Sequence, residues 1–164
     1  MYDGCMKYVI AFLAVAGIVV SSMALHVHLM DPNAAPPCAV SEHWDCGTVG
    51  HSRFSVFPAI TSDEKPGTLH IPVAALGIAA YAAIAVFALM GRMWLVFELA
   101  QIGFFIAAFL SYIEAYVMEI WCIYCVWSQA IIAAILLFSV VALLLEWLKR
   151  RVASTGAAAS VQAG

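Results

Sequence analysis

The chain has 164 residues, 65% of them hydrophobic and 10% charged, with a net charge of -3 at pH 7 and a mean hydropathy of +0.99. A soluble domain is about 45–50% apolar and about 25% charged, so a soluble globule is excluded, and so is a disordered chain. Seven basic against ten acidic residues exclude binding of nucleic acid by charge attraction. What remains is an integral membrane protein. A bilayer crossing takes about 20 apolar residues, and four stretches are long enough: about 8–30, 71–90, 93–116 and 121–147. Their Ala, Leu, Ile and Gly content suits helices packing closely in lipid, and no alternating pattern points to strands.

Residues 31–70 form a long polar loop containing Pro32, Pro36, Pro37, Pro58 and Pro66. The next connection is little more than Gly91-Arg92, and the third is a few residues around Met118 and Glu119. Short connections make antiparallel neighbours. The expected fold is therefore all-α, a transmembrane four-helix bundle with a long outer loop between helices 1 and 2. Residues 1–151 make the membrane domain, and the Ala, Ser and Gly of 152–164 are expected to be a disordered tail. Lys7, Arg92, Lys149, Arg150 and Arg151 fall on one side and Arg53 and Lys65 on the other, which places both termini in the cytoplasm. A signal peptide is the rival reading of Tyr8–Val20, with Ser22-Met23-Ala24 as cleavage site. One Lys beside one Asp makes a weak n-region, and the apolar run continues through Leu29, which favours a span. Cys5 precedes the apolar run, so this is no lipoprotein signal.

Four of the five cysteines share the outer face. Cys38 and Cys46 lie in the long loop, and Cys122 and Cys125 open the fourth span within Trp121-Cys122-Ile123-Tyr124-Cys125. Three readings stand. The pairs could be structural disulfides on an oxidising face. Together with His43 and His51 they could hold zinc or a softer metal, although seven residues between Cys38 and Cys46 exceed the usual zinc-knuckle spacing. Or they could exchange disulfides. Residues i and i+3 share a helix face, and the unpaired N–H groups of a first helical turn stabilise a thiolate. Exchange needs an electron acceptor. There is no dinucleotide fingerprint and no haem motif, and His26 and His28 sit two apart, as interfacial residues at the end of the first span. A lipid-soluble acceptor is the economical choice. Cys125, one turn deeper than Cys122, is its natural contact.

Four spans, the loop pair Cys38-x7-Cys46, Ser52 six residues later, Ile71-Pro72-Val73-Ala74-Ala75-Leu76-Gly77 at the second span and Cys122-Ile123-Tyr124-Cys125 at the fourth resemble the vitamin K epoxide reductase family in its bacterial branch. The DsbB type of quinone-linked oxidase differs, because its Cys-x-x-Cys lies in the first outer loop. The resemblance covers roughly 8–147. It implies a quinone-dependent thiol oxidoreductase of the bacterial inner membrane, with its cysteines on the periplasmic side, no metal, and menaquinone or ubiquinone as acceptor. Cys125 would face the quinone, Cys122 would exchange with Cys46, and Cys46 would relay to Cys38, which meets the partner. Ser52 would sit on a short half-helix over the bundle mouth and help close the quinone site; the residues alone suit it equally to capping Ser52–Phe57.

The animal branch has an Asn and a Tyr where this chain has Val73 and Gln129. Gln129 could donate a hydrogen bond to a quinone carbonyl and Val73 cannot, so plain quinone reduction is favoured over reduction of vitamin K quinone or its epoxide. Some bacterial members carry a fused thioredoxin-like domain that this sequence does not contain, which makes the expected partner a separate DsbA-like or thioredoxin-like dithiol protein. A metal-handling membrane protein is the alternative from another class. Glu114, near the outer end of the third span, could handle protons or simply reach water, and Arg53 could stabilise a thiolate at Cys46 or be a solvated loop charge. Pro36-Pro37 should keep Cys38 extended and the more exposed of the loop pair, with Cys46 facing Cys122.

Overall fold

The computed structural model describes residues 2–31, 36, 38–60 and 69–162, the side chains of 2–5 and 155–162 excepted. The Cys5 thiol and residues Pro32, Pro37, Lys65 and Pro66 lie outside the described residues. In chain order the elements are α1 (Tyr2–Leu29), a short α2 (Cys46–Gly50), β1 (Val56–Phe57), β2 (Ile71–Pro72), α3 (Val73–Leu89), α4 (Met93–Ile113), a π-helical turn (Glu114–Met118) and α5 (Ile123–Gln162).

Apolar residues three or four apart line one face of a helix, and each long helix turns such a stripe inward. Ile10 and Ala14 of α1, Ile84 and Ala88 of α3, Met93, Val96 and Ala100 of α4, and Ile132 and Ile135 of α5 form one buried cluster. α1 packs against α3 and α5, and α4 packs against α5 and α3. The outward faces are also apolar: Phe12, Phe105 and Phe109 are 73%, 64% and 63% exposed. Helices apolar all round belong in lipid. Three are long and apolar enough to cross a membrane, Met6–Leu29, Met93–Met118 and Ile123–Ser154, while Val73–Leu89 is a shorter apolar helix. The expected second span began at Ile71. Instead Ile71 and Pro72 are extended and pair antiparallel with Phe57 and Val56, tying the loop to the entry of α3.

The α3–α4 connection is closed by its own backbone. Gly91 has φ +73°; its N–H donates to Ala88 O and the Arg92 N–H to Phe87 O, at 3.0 and 2.9 Å. Glycine tolerates that left-handed φ, and the paired bonds satisfy the last carbonyls of α3.

α5 corrects one expectation. It runs to Gln162, so the backbone of 152–162 is helical where a disordered tail was expected. Alanine is the best helix former, and extending an existing helix needs no new nucleus.

Gly17 is where α1 and α3 approach most tightly. A Cβ there would lie 2.5 Å from the Tyr81 ring. Tyr81 is buried on α3 and donates its hydroxyl hydrogen to Ser128 O of α5 at 2.9 Å, so it links three helices across that glycine. Gly17→Val is expected to destabilise the protein by about 2 kcal/mol or more through overpacking. Tyr81→Phe, which removes only the hydroxyl, is expected to cost about 1 kcal/mol. Thermal unfolding in detergent micelles checks both; equal effects would contradict the steric argument.

Candidate active site

The loop pair is positioned by one carboxylate and one strand-like contact. Asp45 precedes α2, and its Oδ1 accepts from the Gly47 and Thr48 amides at 2.8 and 3.4 Å, while its Oδ2 accepts from the Thr48 hydroxyl at 2.7 Å. This is an N-cap, and it makes Cys46 the first helical residue. Beside it, Trp44 and Trp121 pair as neighbouring extended residues in parallel. The Trp121 N–H donates to His43 O at 2.8 Å and the Asp45 N–H to Trp121 O at 3.1 Å. The indole rings lie 6.3 Å apart. Parallel register carries forward along both segments, so Cys46 and Cys122, the second residue after Trp44 and the first after Trp121, arrive at the same place. They share one buried cluster with Cys38, Val27 and Val49, against which Tyr124 and Cys125 pack.

Thr48 first, and then the amides of Gly47 and Thr48, hold the Asp45 carboxyl below its ordinary value of 3.8. A group whose pKa is depressed in the folded state contributes stability above its unfolded pKa and loses it as pH falls through the folded one. The cap is therefore intact at neutral pH and is lost only below about 3.8. Asp45→Ala is expected to cost about 1 kcal/mol and to speed exchange of the Gly47 and Thr48 amides. Asp45→Asn should keep most of the cap. Unchanged exchange in Asp45→Ala would remove Asp45 from this role.

Cys38 and Cys46 form a disulfide, with Cα atoms 5.8 Å apart. Cys122 and Cys125 are free. Cys38 is 7% and Cys46 1% exposed, so the expected order of exposure holds in rank, but both are buried. Cys122 sits just ahead of α5, and its carbonyl accepts the first helical bond, from Val126 N–H, at 3.1 Å. Its sulfur takes the N-cap position. The Cys125 thiol first, and then the Cys125 and Tyr124 amides, hydrogen-bond to this sulfur and hold the Cys122 thiol below its ordinary value; burial and the Glu114 charge oppose them. Of Cys122 and Cys125, Cys122 is thus the one prepared as a thiolate nucleophile.

Glu114 is the residue that sequence reasoning undervalued. It is 3% exposed, and its Oε2 accepts from the Cys122 N–H at 3.1 Å. The Cys125 thiol interacts with the same carboxyl. The π-helical turn that Glu114 opens adds a residue to the helical repeat, and Glu119 ends it in the left-handed region at φ 57°. π-Turns concentrate at functional sites because they redirect one side chain.

Beneath the cysteines lies a cavity of about 140 Å³. Its walls are mostly apolar, among them Val20, Ala24, Val73, Ala107 and Leu110, with His28, Glu114, Ser52 and Ser128 as polar points and Cys46, Cys122 and Cys125 at the rim. An apolar cavity of about 150 Å³ takes one six-membered ring. Val27 and Tyr124 of this wall also line a groove open to the outside, with Ile18, Val19, Met23 and His26.

Two cysteine pairs therefore meet over an apolar cavity, one bonded in a loop and one at the head of a membrane-length helix. Residues 8–140 match the vitamin K epoxide reductase family. The chain belongs to that family. No curated protein matches it closely. Membership makes it a membrane oxidoreductase, and the Cys38–Cys46 disulfide agrees with thiol–disulfide chemistry.

Within this family member the remaining candidates fall unevenly. Ser52 lines the cavity, but it lies in a turn after α2: its N–H donates to Val49 O, and its carbonyl accepts from the Ser55 amide. It neither caps nor sits on a helix over 52–57, because α2 ends at Gly50 and Val56–Phe57 is a strand. Gln129 is not among the cavity-lining residues; Ser128 is. The Gln129 Oε1 is buried without a hydrogen-bond partner. Val73 does line the cavity. His28, expected at the interface, lines it too, with Nδ1 2.6 Å from Gly50 O. Arg53 is exposed and stacks on Phe54 at 4.7 Å. Among the described residues no group of three or more His, Cys, Asp or Glu is placed to hold a metal.

Proposed function

We propose that the protein oxidises a dithiol protein and passes two electrons to a membrane quinone. The overall change is dithiol plus quinone to disulfide plus hydroquinone. The partner, a DsbA-like or thioredoxin-like dithiol protein, attacks Cys38 of the Cys38–Cys46 disulfide. The partner's second thiol attacks the mixed disulfide and leaves as the partner disulfide, so Cys38 and Cys46 become thiols. When Cys122 and Cys125 are joined as a disulfide, the Cys46 thiolate attacks Cys122 and Cys125 leaves. Cys38 then attacks Cys46, which restores the Cys38–Cys46 disulfide and leaves the Cys122–Cys125 pair reduced and ready for the acceptor. Each transfer is thiolate attack on a disulfide sulfur. The acceptor supplies the redox change; the protein supplies positioning, the Cys122 N-cap and exclusion of water. The ring-sized apolar cavity under Cys125 suits a quinone, and the groove past Met23 and His26 suits its entry from lipid. Val73 puts a hydrocarbon where a donor to an epoxide or second carbonyl would stand, which favours plain quinone reduction over vitamin K epoxide.

In this reading the four long helices span a bacterial inner membrane, Val73–Leu89 included, with both termini cytoplasmic and the cysteines periplasmic. The single observation that carries it is the parallel Trp44–Trp121 register, which delivers Cys46 to Cys122. The Cys38→Ala/Cys125→Ala double variant tests it. Mild oxidation is expected to give a Cys46–Cys122 disulfide as the main product in peptide mapping. Two persistently free thiols would break the relay.

A further inference from the structure

Disulfide formation from Cys122 and Cys125 releases two protons into a site from which water is largely excluded, and a quinone must take up two. This inference rests on the quinone-linked reading above and extends it. Cys46, on α2, is held in its disulfide and carries no thiol proton. His28, on α1, also lines the cavity, but its ring contacts are with Gly50, Ser55 and His51 of the loop. Tyr124 and the two free cysteines come from the head of α5, and α3 gives the wall only Val73 and Ala74, which do not titrate. Glu114 is the titratable group set directly against the pair: its carboxyl accepts from the Cys122 backbone N–H and interacts with the Cys125 thiol.

We infer that Glu114 is the catalytic acid–base that carries the thiol protons to the electron acceptor. The Cys125 S–H bond breaks and its proton goes to the Glu114 carboxylate. Two electrons leave the dithiol as the Cys122–Cys125 S–S bond forms. Glu114 returns the proton to one acceptor oxygen. The second proton, which Cys122 released to solvent on becoming a thiolate before the S–S bond formed, returns through the regenerated carboxylate to the other oxygen. The acceptor gains two electrons and two protons, and the carboxylate ends as it began.

The chain offers reasons for this placement beyond packing. A buried carboxylate is costly unless its hydrogen bonds or its work justify it. Here the π-turn and the left-handed Glu119 hold it against the pair, and the carboxylate faces the cavity rather than water.

The test uses the full-length protein in micelles, as Glu114→Gln and Glu114→Asp. One readout needs no quinone: the rate at which the reduced Cys122–Cys125 pair is oxidised by diamide, followed by mass spectrometry. Glu114→Gln is expected to slow both this reaction and quinone reduction by roughly 10²–10⁴-fold at pH 7. Its rates should then rise about tenfold per pH unit as hydroxide replaces the missing base. Glu114→Asp should recover most of the rate with the wild-type pH profile. Wild-type rates and profile in Glu114→Gln would overturn the inference. So would a loss that Glu114→Asp does not restore and that pH does not relieve, because that pattern marks a packing role. If the wild type itself fails to reduce quinone, the quinone reading falls, and the diamide rates still decide Glu114.

Discussion

Cys125→Ala is expected to abolish quinone reduction, a loss of several orders of magnitude of the kind seen when one member of a catalytic unit is removed. Without Cys125 no second thiol can close the disulfide, so the two electrons have no exit. The Cys38–Cys46 disulfide should still exchange with added small thiols, because its position depends on Asp45 and on the Trp44–Trp121 pairing, not on Cys125. Stopped-flow quinone absorbance and thiol titration separate the two activities. Quinone turnover retained in Cys125→Ala would transfer its role to another residue.

The second large effect concerns the order of the relay. In Cys46→Ala the thiol that resolves a partner–Cys38 mixed disulfide is gone. A dithiol partner with its own second cysteine replaced should therefore accumulate, under mild oxidation, as a covalent complex through Cys38. Cys38→Ala should give no such complex and should leave a Cys46–Cys122 disulfide possible. With Cys38 7% exposed, the partner must displace what covers it, so the adduct is expected to form slowly and to form faster in Asp45→Ala, which loosens α2. Non-reducing electrophoresis and mass spectrometry identify the linked residue. Trapping on Cys46 when Cys38 is absent, without trapping on Cys38 when Cys46 is absent, would reverse the order.

The cysteine pattern was the most legible part of the sequence, because its meaning depends on spacing and order. Cys122 and Cys125 do open a helix, and Cys38 and Cys46 do meet in the loop. Helix length was less legible. Composition described 152–164 as a tail, but alanine carried α5 on to Gln162. The short helix was hidden because Gly47 and Gly50 disfavour helix, while the signal that starts it, Asp45 with Thr48 three residues on, was passed over for Ser52. Ser128 and Gln129 lie three and four residues after Cys125, on either side of its face. Periodicity cannot choose between them; the rotation of α5 against α3, fixed by the Tyr81–Ser128 bond, turned Ser128 inward. Glu114 was hidden for a related reason. A regular helix through 114 would not predict the extra residue of the π-turn, and hydropathy does not show which way a lone carboxylate points.

The central claim is that electrons travel from a protein dithiol through both cysteine pairs to a quinone. The most direct measurement is anaerobic incubation of the purified protein with a reduced DsbA-like protein and menaquinone or ubiquinone, following both reactants. The account predicts one partner disulfide formed per quinone reduced, with the reaction lost when any one of Cys38, Cys46, Cys122 and Cys125 is replaced. Partner oxidation that proceeds without quinone, or quinone reduction that survives loss of the Cys38–Cys46 pair, would contradict it.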